Sequence, residues 1–271
     1  MGSLTIAAAQ FAPTADPDAN LDTIRSFAEQ AVDRGAHLLV TPEYSSYFTS
    51  DIDDAFVAAA QPLDGTFVTG LRAMAREVGL ALIVGVSERA GAPDRFRNTL
   101  VAVLPDGSIA ETYRKVHLYD AFGSRESDRI EPGDPEQLSV VTVAGVRVGL
   151  ETCYDLRFPE VTRRLVATEH GAADVVVVPA EWVRGPGKEH HWRTLLTARA
   201  IENTVWVAGV GQTPPVGIGG SAVLDPSGVA VAAAGVAPGL VVATIDTGMT
   251  DAVRTVNPSL GLRRYEVVPR H

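Results

Sequence analysis

The chain has 271 residues, 46% apolar and 21% charged, a composition that supports a full core in one large globular domain. A formal net charge of −10 opposes binding to nucleic acid or to an anionic membrane, and a single cysteine excludes both an internal disulfide framework and a multi-cysteine metal site. Met1 is followed by Gly2-Ser3 and a strand-like LTIAAAQ rather than a basic and apolar leader, and no apolar run approaches bilayer length, so a soluble cytoplasmic chain is expected. In chain order, Leu4–Gln10 reads as a strand and Ala19–Arg34 as a helix, with Asp18 or Asn20 as cap and Gly35 as stop. His37–Val40 is a buried strand, Thr66–Val78 a helix ended by Gly79, and Leu80–Val86, Asn98–Leu104 and Ile109–Lys115 are strands. Pro105-Asp106-Gly107-Ser108 joins the last two as a hairpin turn, since proline and glycine preset the turn dihedrals.

The second half repeats this order. Strand Val146–Leu150 leads to a helix at Pro159–Glu169, strand Asp174–Val178, a helix at His190–Asn203, strand Thr204–Val210 and a hairpin at Asp225-Pro226-Ser227-Gly228. Three local echoes support a duplication: LLVTPEY (38–44) with VVVPAEW (176–182), LIVGVSE (82–88) with WVAGVGQ (206–212), and NTLVAVLPDGSIA with GGSAVLDPSGVAV. Two α/β units with apolar strands, packed sheet against sheet, predict a four-layer α-β-β-α sandwich with internal pseudo-two-fold symmetry. No Pro/Ser/Gly-rich linker divides the chain, so one domain is expected over 1–271, with halves at about 1–145 and 146–245 and a C-terminal segment 246–271 that carries a helix at Met249–Val256.

Cys153 stands between the strand Val146–Leu150 and Pro159, a favoured first helical residue, and so on a sharp strand-to-helix turn. Such an elbow can expose a nucleophile beside free backbone N–H groups; the alternative is a small buried hydrophobe. Glu151, Asp155 and Arg157 nearby argue against an inert apolar pocket. Glu43 also follows a predicted strand, Lys115 ends one, and Glu126 lies in the loop AFGSRESDRIEPGD, so one acid, one lysine and one cysteine can converge on a sheet edge. That set can run acyl transfer on an amide. The sulfur attacks the carbonyl carbon, a carboxylate moves the proton, and the ammonium with the N–H of Tyr154 stabilises the oxyanion; the lysine charge is also expected to favour the thiolate.

PEY around Glu43, YRKVHLYD around Lys115 and ETCYDLRFPE around Cys153 resemble the three signatures of the nitrilase superfamily of carbon–nitrogen hydrolases, and the resemblance runs from LTIAAAQ to the hairpin near Gly228. It implies Glu43 as general base, Lys115 as oxyanion stabiliser, Cys153 as nucleophile and Glu126 as a second acid holding Lys115 or the substrate. It also implies the four-layer sandwich, with no cofactor and no metal. HLYD, CYDLRFPE and GPGKEHHWRTLLTARAIEN look most like the Nit branch, which includes ω-amidases and amidases of deaminated glutathione. Those substrates are small amides bearing a carboxylate. Arg157 is then the natural cation to bind it, against a local ion pair with Asp155 or Glu160. Tyr47 and Trp182 are candidate pocket walls or ordinary packing aromatics. The same residues could instead hydrolyse nitriles or N-carbamoyl compounds, or the scaffold could serve a non-catalytic interaction. His190 and His191, adjacent on a helix, lack the i, i+4 geometry of a zinc helix and read as surface residues, while His117 could compete with Glu43 as base. Family members commonly pack segment 246–271 across a homodimer partner; the alternative is a tail on its own subunit.

Overall fold

The computed structural model describes residues 2–167 and 172–270. Its first half runs β1 (Ser3–Gln10), α1 (Pro17–Asp33), β2 (Leu38–Val40), α2 (Asp54–Ala59), α3 (Thr66–Val78), β3 (Ala81–Arg89), β4 (Phe96–Val103) and β5 (Ile109–Arg114). The chain continues through β6 (Val140–Val143), β7 (Val146–Leu150), α4 (Pro159–Ala167), β8 (Val175–Ala180), α5 (Lys188–Asn203), β9 (Trp206–Gly211), β10 (Ala222–Leu224), β11 (Ala230–Ala233), β12 (Gly239–Asp246) and α6 (Thr247–Val256). Glu169, the expected end of α4, lies outside the described residues.

Local chemistry sets the helix ends. α1 begins earlier than expected because Pro17 takes the first helical position and Asp16 caps it, its side chain accepting from the N–H groups of Asp18 and Ala19 at 3.0 and 3.2 Å. Asn20 is turned elsewhere, donating to the carbonyls of Thr14 and Ser46. α3 has the expected bounds, and Gly79 closes it at φ 69°, where a side chain would be strained.

The strands form two six-stranded sheets of matching design, β12-β1-β2-β3-β4-β5 and β6-β7-β8-β9-β10-β11. In each, three parallel strands sit between an antiparallel edge strand and an antiparallel hairpin. The alternation of each strand separates its two faces. Ile6, Val40, Ile83, Val148, Val177 and Ala208 meet in the core between the sheets. Ala7, Leu39 and Leu82 face α1 and α3 on one side, and Val176, Val178 and Val207 face α4 and α5 on the other. The result is an α-β-β-α sandwich. Its closing strands are exchanged: β6 lies next to β7 in the second sheet, and β12 pairs with β1 over its whole length, from Ser3–Asp246 to Gln10–Gly239.

Candidate active site

β2, β5, β7 and β8 all end at one edge of the sandwich, and the residue or short turn that follows each carries a polar side chain inward. Glu43 follows β2, Lys115 follows β5, Cys153 follows β7 and Glu181 follows β8. The turn after β2 fits against β3 only because position 85 is glycine. A Cβ there would lie 2.6 Å from the Pro42 carbonyl oxygen and 2.8 Å from Glu43 Cα. Two non-glycine residues in these turns are left-handed, Tyr44 at φ 57° and Cys153 at φ 47°. Such conformations cost energy and persist where the surroundings over-determine them.

Lys115 is fully buried. Its Nζ donates to Glu43 Oε1 at 3.0 Å and to both oxygens of Glu126 at 3.1 and 2.9 Å. Glu43 also accepts from Asn98 Nδ2 and from the Glu181 N–H, each at 2.6 Å. Glu126, in a short 3-10 turn, accepts from the Tyr44 hydroxyl at 2.8 Å and the Tyr119 N–H at 2.7 Å. Burial opposes the Lys115 ammonium, yet Glu126, Glu43 and Cys153 outweigh it and hold its pKa well above the ordinary lysine value. The lysine therefore stays charged.

Cys153 opens a 3-10 turn, Cys153–Arg157, whose capping box joins Thr152 and Asp155. Its Sγ donates to the Glu181 carbonyl at 3.6 Å. Burial first, and then the charge of Glu43, push its pKa well above that of a free thiol; Lys115 pulls it down, as its charge requires, but is outweighed. Lys115 thus favours the thiolate as expected, but burial and the neighbouring carboxylates outweigh it. The Tyr154 N–H lies in the first turn of this element, where no intrahelical carbonyl reaches it.

A recess opens onto these groups, lined by Glu43, Glu126 and Cys153 and, away from them, by Tyr119, Tyr154, Arg157, Glu181, Trp182 and Lys188. Arg157 makes no ion pair with Asp155 or Glu160. Asp155 is occupied by the Tyr113 hydroxyl at 2.7 Å and by the N–H and Nδ1 of His117 at 2.9 and 2.8 Å. The guanidinium instead lies 4.8 Å over Trp182, and its Nε is buried without a partner. Lys188 Nζ donates to the Tyr119 hydroxyl at 2.8 Å and stands 4.2 Å from the Phe122 ring centre. Two cations thus face the recess without a carboxylate partner in the described residues.

Tyr47 is placed elsewhere. It packs edge-on against Phe56 at 5.2 Å in a cluster with Tyr44 and Phe96, as a packing aromatic and not a pocket wall. His117 is turned to Asp155 and stacked on Phe158 at 3.7 Å, which removes it as a partner for the thiol. His190 contacts Thr194 on the surface, whereas His191 approaches Arg157. Sequence reasoning passed over Glu181 and Lys188. The echo of LLVTPEY in VVVPAEW sets Glu181 in register with Glu43 and could have found the first; Lys188 precedes two histidines that drew attention from it.

The model of the family described as carbon-nitrogen hydrolase matches residues 5–255. A deaminated glutathione amidase of Escherichia coli O157:H7 is 39% identical over 262 residues, covering 97% of this chain and 98% of that protein. A CN-hydrolase superfamily protein of Xanthomonas campestris, solved with an arsenic adduct in its active site, superposes with a TM-score of 0.87 at 28% identity, over 99% of this chain and 100% of that one. A variant of the amidase from Nesterenkonia sp. AN1, with the acetamide moiety of fluoroacetamide covalently added at its active-site cysteine, gives a TM-score of 0.79 at 29% identity, over 97% and 94% of the two chains. With its paired sheets and with an acid, a lysine and a cysteine gathered at their shared edge, this chain belongs to the carbon-nitrogen hydrolase family.

Proposed function

We propose that the protein is an amidase that hydrolyses a small carboxylate-bearing amide through a thioester on Cys153. The observation that carries this is a buried thiol, Cys153, in one recess with Glu43, an acid fixed by three donors. Glu43 takes the thiol proton as sulfur bonds to the carbonyl carbon. The oxyanion is met by the Lys115 ammonium and the Tyr154 N–H. Glu43 returns the proton to the nitrogen as the C–N bond breaks, releasing ammonia or amine. Water, losing its proton to Glu43, then attacks the thioester; collapse frees the acid, and the sulfur recovers its proton from Glu43. Glu126 is a positioning residue that fixes Lys115 through two hydrogen bonds.

Arg157, which makes no ion pair among the described residues, is the proposed partner of the substrate carboxylate, with Trp182 and Tyr154 as walls. The names of the relatives support amide over nitrile, and the Escherichia coli relative supports deaminated glutathione as a substrate to test. Segment 246–271 leaves Val256, Leu262, Tyr265 and Val268 exposed, Tyr265 at 89%, which favours a homodimer covering them over a tail packed on its own subunit. No helix among the described residues is long and apolar enough to cross a membrane. A nucleophilic thiol suits a reducing compartment, and the cytoplasm is the proposed one.

The test is ammonia release across a panel of small amides, including α-ketoglutaramate and deaminated glutathione, with Cys153→Ala as control. Turnover that disappears in the variant is expected. Absence of release from every amide, with Cys153 still readily alkylated, would refute the amide reading.

A further inference from the structure

Glu181 has no task in the reaction as described, yet its position is built with care. It follows β8 as Glu43 follows β2, at matching places in the two halves, so the duplication delivers two acids to one recess. Its peptide already bridges the reacting groups, the N–H donating to Glu43 and the carbonyl accepting from the Cys153 thiol. Its side chain is the exception. Glu43 and Glu126 are each held by three donors, whereas Glu181 Oε1 is buried with no hydrogen-bond partner among the described residues. A buried carboxyl oxygen left unpaired is costly, and in a ligand site it marks a group that waits for its partner.

Burial, and then the charge of Glu43, push the Glu181 pKa well above the carboxylate range; Lys115 and Lys188 pull it down and Glu126 adds to the rise. Cys153 and Tyr119 complete the titratable groups that face it. The side chain is then a neutral carboxylic acid with an O–H to donate. It interacts with both ends of the recess, Glu43 and Lys115 at the thiol and Lys188 at the cationic end. It lines the same recess as Cys153, Arg157 and Lys188, where the acyl part of a substrate would lie.

Resting on the amidase reading, we infer that Glu181 is a specificity-determining residue whose carboxylic acid donates a hydrogen bond to an acceptor oxygen in the acyl part of the substrate, between the scissile amide and the carboxylate. Substrates with such an oxygen, a keto or hydroxyl group or a further amide carbonyl, gain over those with methylene alone. Ionisation of Glu181 removes the donor and places a negative charge in a pocket that takes an anion.

The test is steady-state kinetics of the wild type, Glu181→Gln and Glu181→Ala on the best amide of the panel, across a pH range from about 6 to about 10. Glutamine keeps a donor without a titration, so its kcat and KM should stay within about 3-fold of wild type at neutral pH, whereas alanine should raise KM ~10-fold or more with kcat nearly unchanged. As pH rises, KM of the wild type should climb above that of the glutamine variant. Lys188, whose pKa burial and Arg157 depress, adds the same alkaline limb to both. An alanine variant with KM within 2-fold of wild type, or parallel KM profiles for wild type and Glu181→Gln, would overturn the role. Wild type that turns over no amide would count against the amidase reading instead. Protection of Cys153 from alkylation by α-ketoglutarate, which carries both a keto oxygen and carboxylates, then still separates the variants: weaker protection of Glu181→Ala than of Glu181→Gln supports the donor, and equal protection overturns it.

Discussion

Arg157 is unusual among the charged residues of this chain in having its guanidinium against an indole and its Nε buried without a partner. A cation so placed is stabilised most when an anion arrives. Arg157→Met should therefore raise KM for a carboxylate-bearing amide by ~10- to 100-fold, the worth of a charge-assisted hydrogen bond, while kcat changes little. Kinetics on matched amides with and without the carboxylate would check this, and an equal loss on both would remove the proposed contact. A second residue-scale consequence concerns Glu151, whose pKa is pushed up to about 8 by burial, against the pull of the Thr162 hydroxyl, with Asp155 adding to the rise. Its ordinary value is 4.5. Between those values the folded chain keeps a proton that the unfolded chain has released, so stability falls as pH rises through the window and levels off above about 8. The span corresponds to a loss on the order of 5 kcal/mol. Glu151→Gln has no proton to lose, and denaturant melts at acid and alkaline pH should show it gaining on wild type as pH rises; parallel curves would contradict the assignment.

At the scale of elements, the site depends on how closely the turn after β2 can approach β3. Gly85→Ala would place a Cβ 2.6 Å from the Pro42 carbonyl and 2.9 Å from the Tyr44 nitrogen, and the backbone must move to admit it. The expected cost is about 1–3 kcal/mol of stability, with a ~100-fold drop in kcat/KM as Glu43 shifts from the thiol. Gly91→Ala, where an added Cβ meets nothing within 4 Å, is the matched control and should leave both unchanged. Much of this architecture was legible in the sequence, because strands and caps are local events. The bounds of α3 follow from apolar spacing and Gly79, and the turns carrying Glu43, Lys115 and Cys153 follow from where apolar runs stop. Glu181 was harder. Its burial and lack of a partner depend on Glu43, Lys115 and Lys188, which are distant in sequence. The net effect on the Cys153 thiol is out of reach of the sequence for the same reason, since a lysine charge can be read from a motif but the depth of burial that outweighs it cannot. β6 and β12 also lie beyond local signals, as β6 has only four residues and the partner of β12 lies more than two hundred residues away.

For the whole molecule, the exposed apolar side chains of the C-terminal segment set the expected assembly. Removing residues 258–271 takes away Leu262, Tyr265 and Val268 while keeping α6. Sedimentation of the truncated chain should show the mass of a monomer where the full chain shows a dimer; an unchanged mass would place the interface elsewhere. The exchange of closing strands has a different consequence, one of timing. β1 leaves the ribosome more than two hundred residues before β12, yet the two pair along eight residues. Until residues 239–246 emerge, one edge of the first sheet has nothing to bind, and an open strand edge invites other chains. A nascent chain of this protein is thus most vulnerable to misassociation just before β12 emerges, when nearly all of its core is present and the first strand of the sandwich still waits for the last.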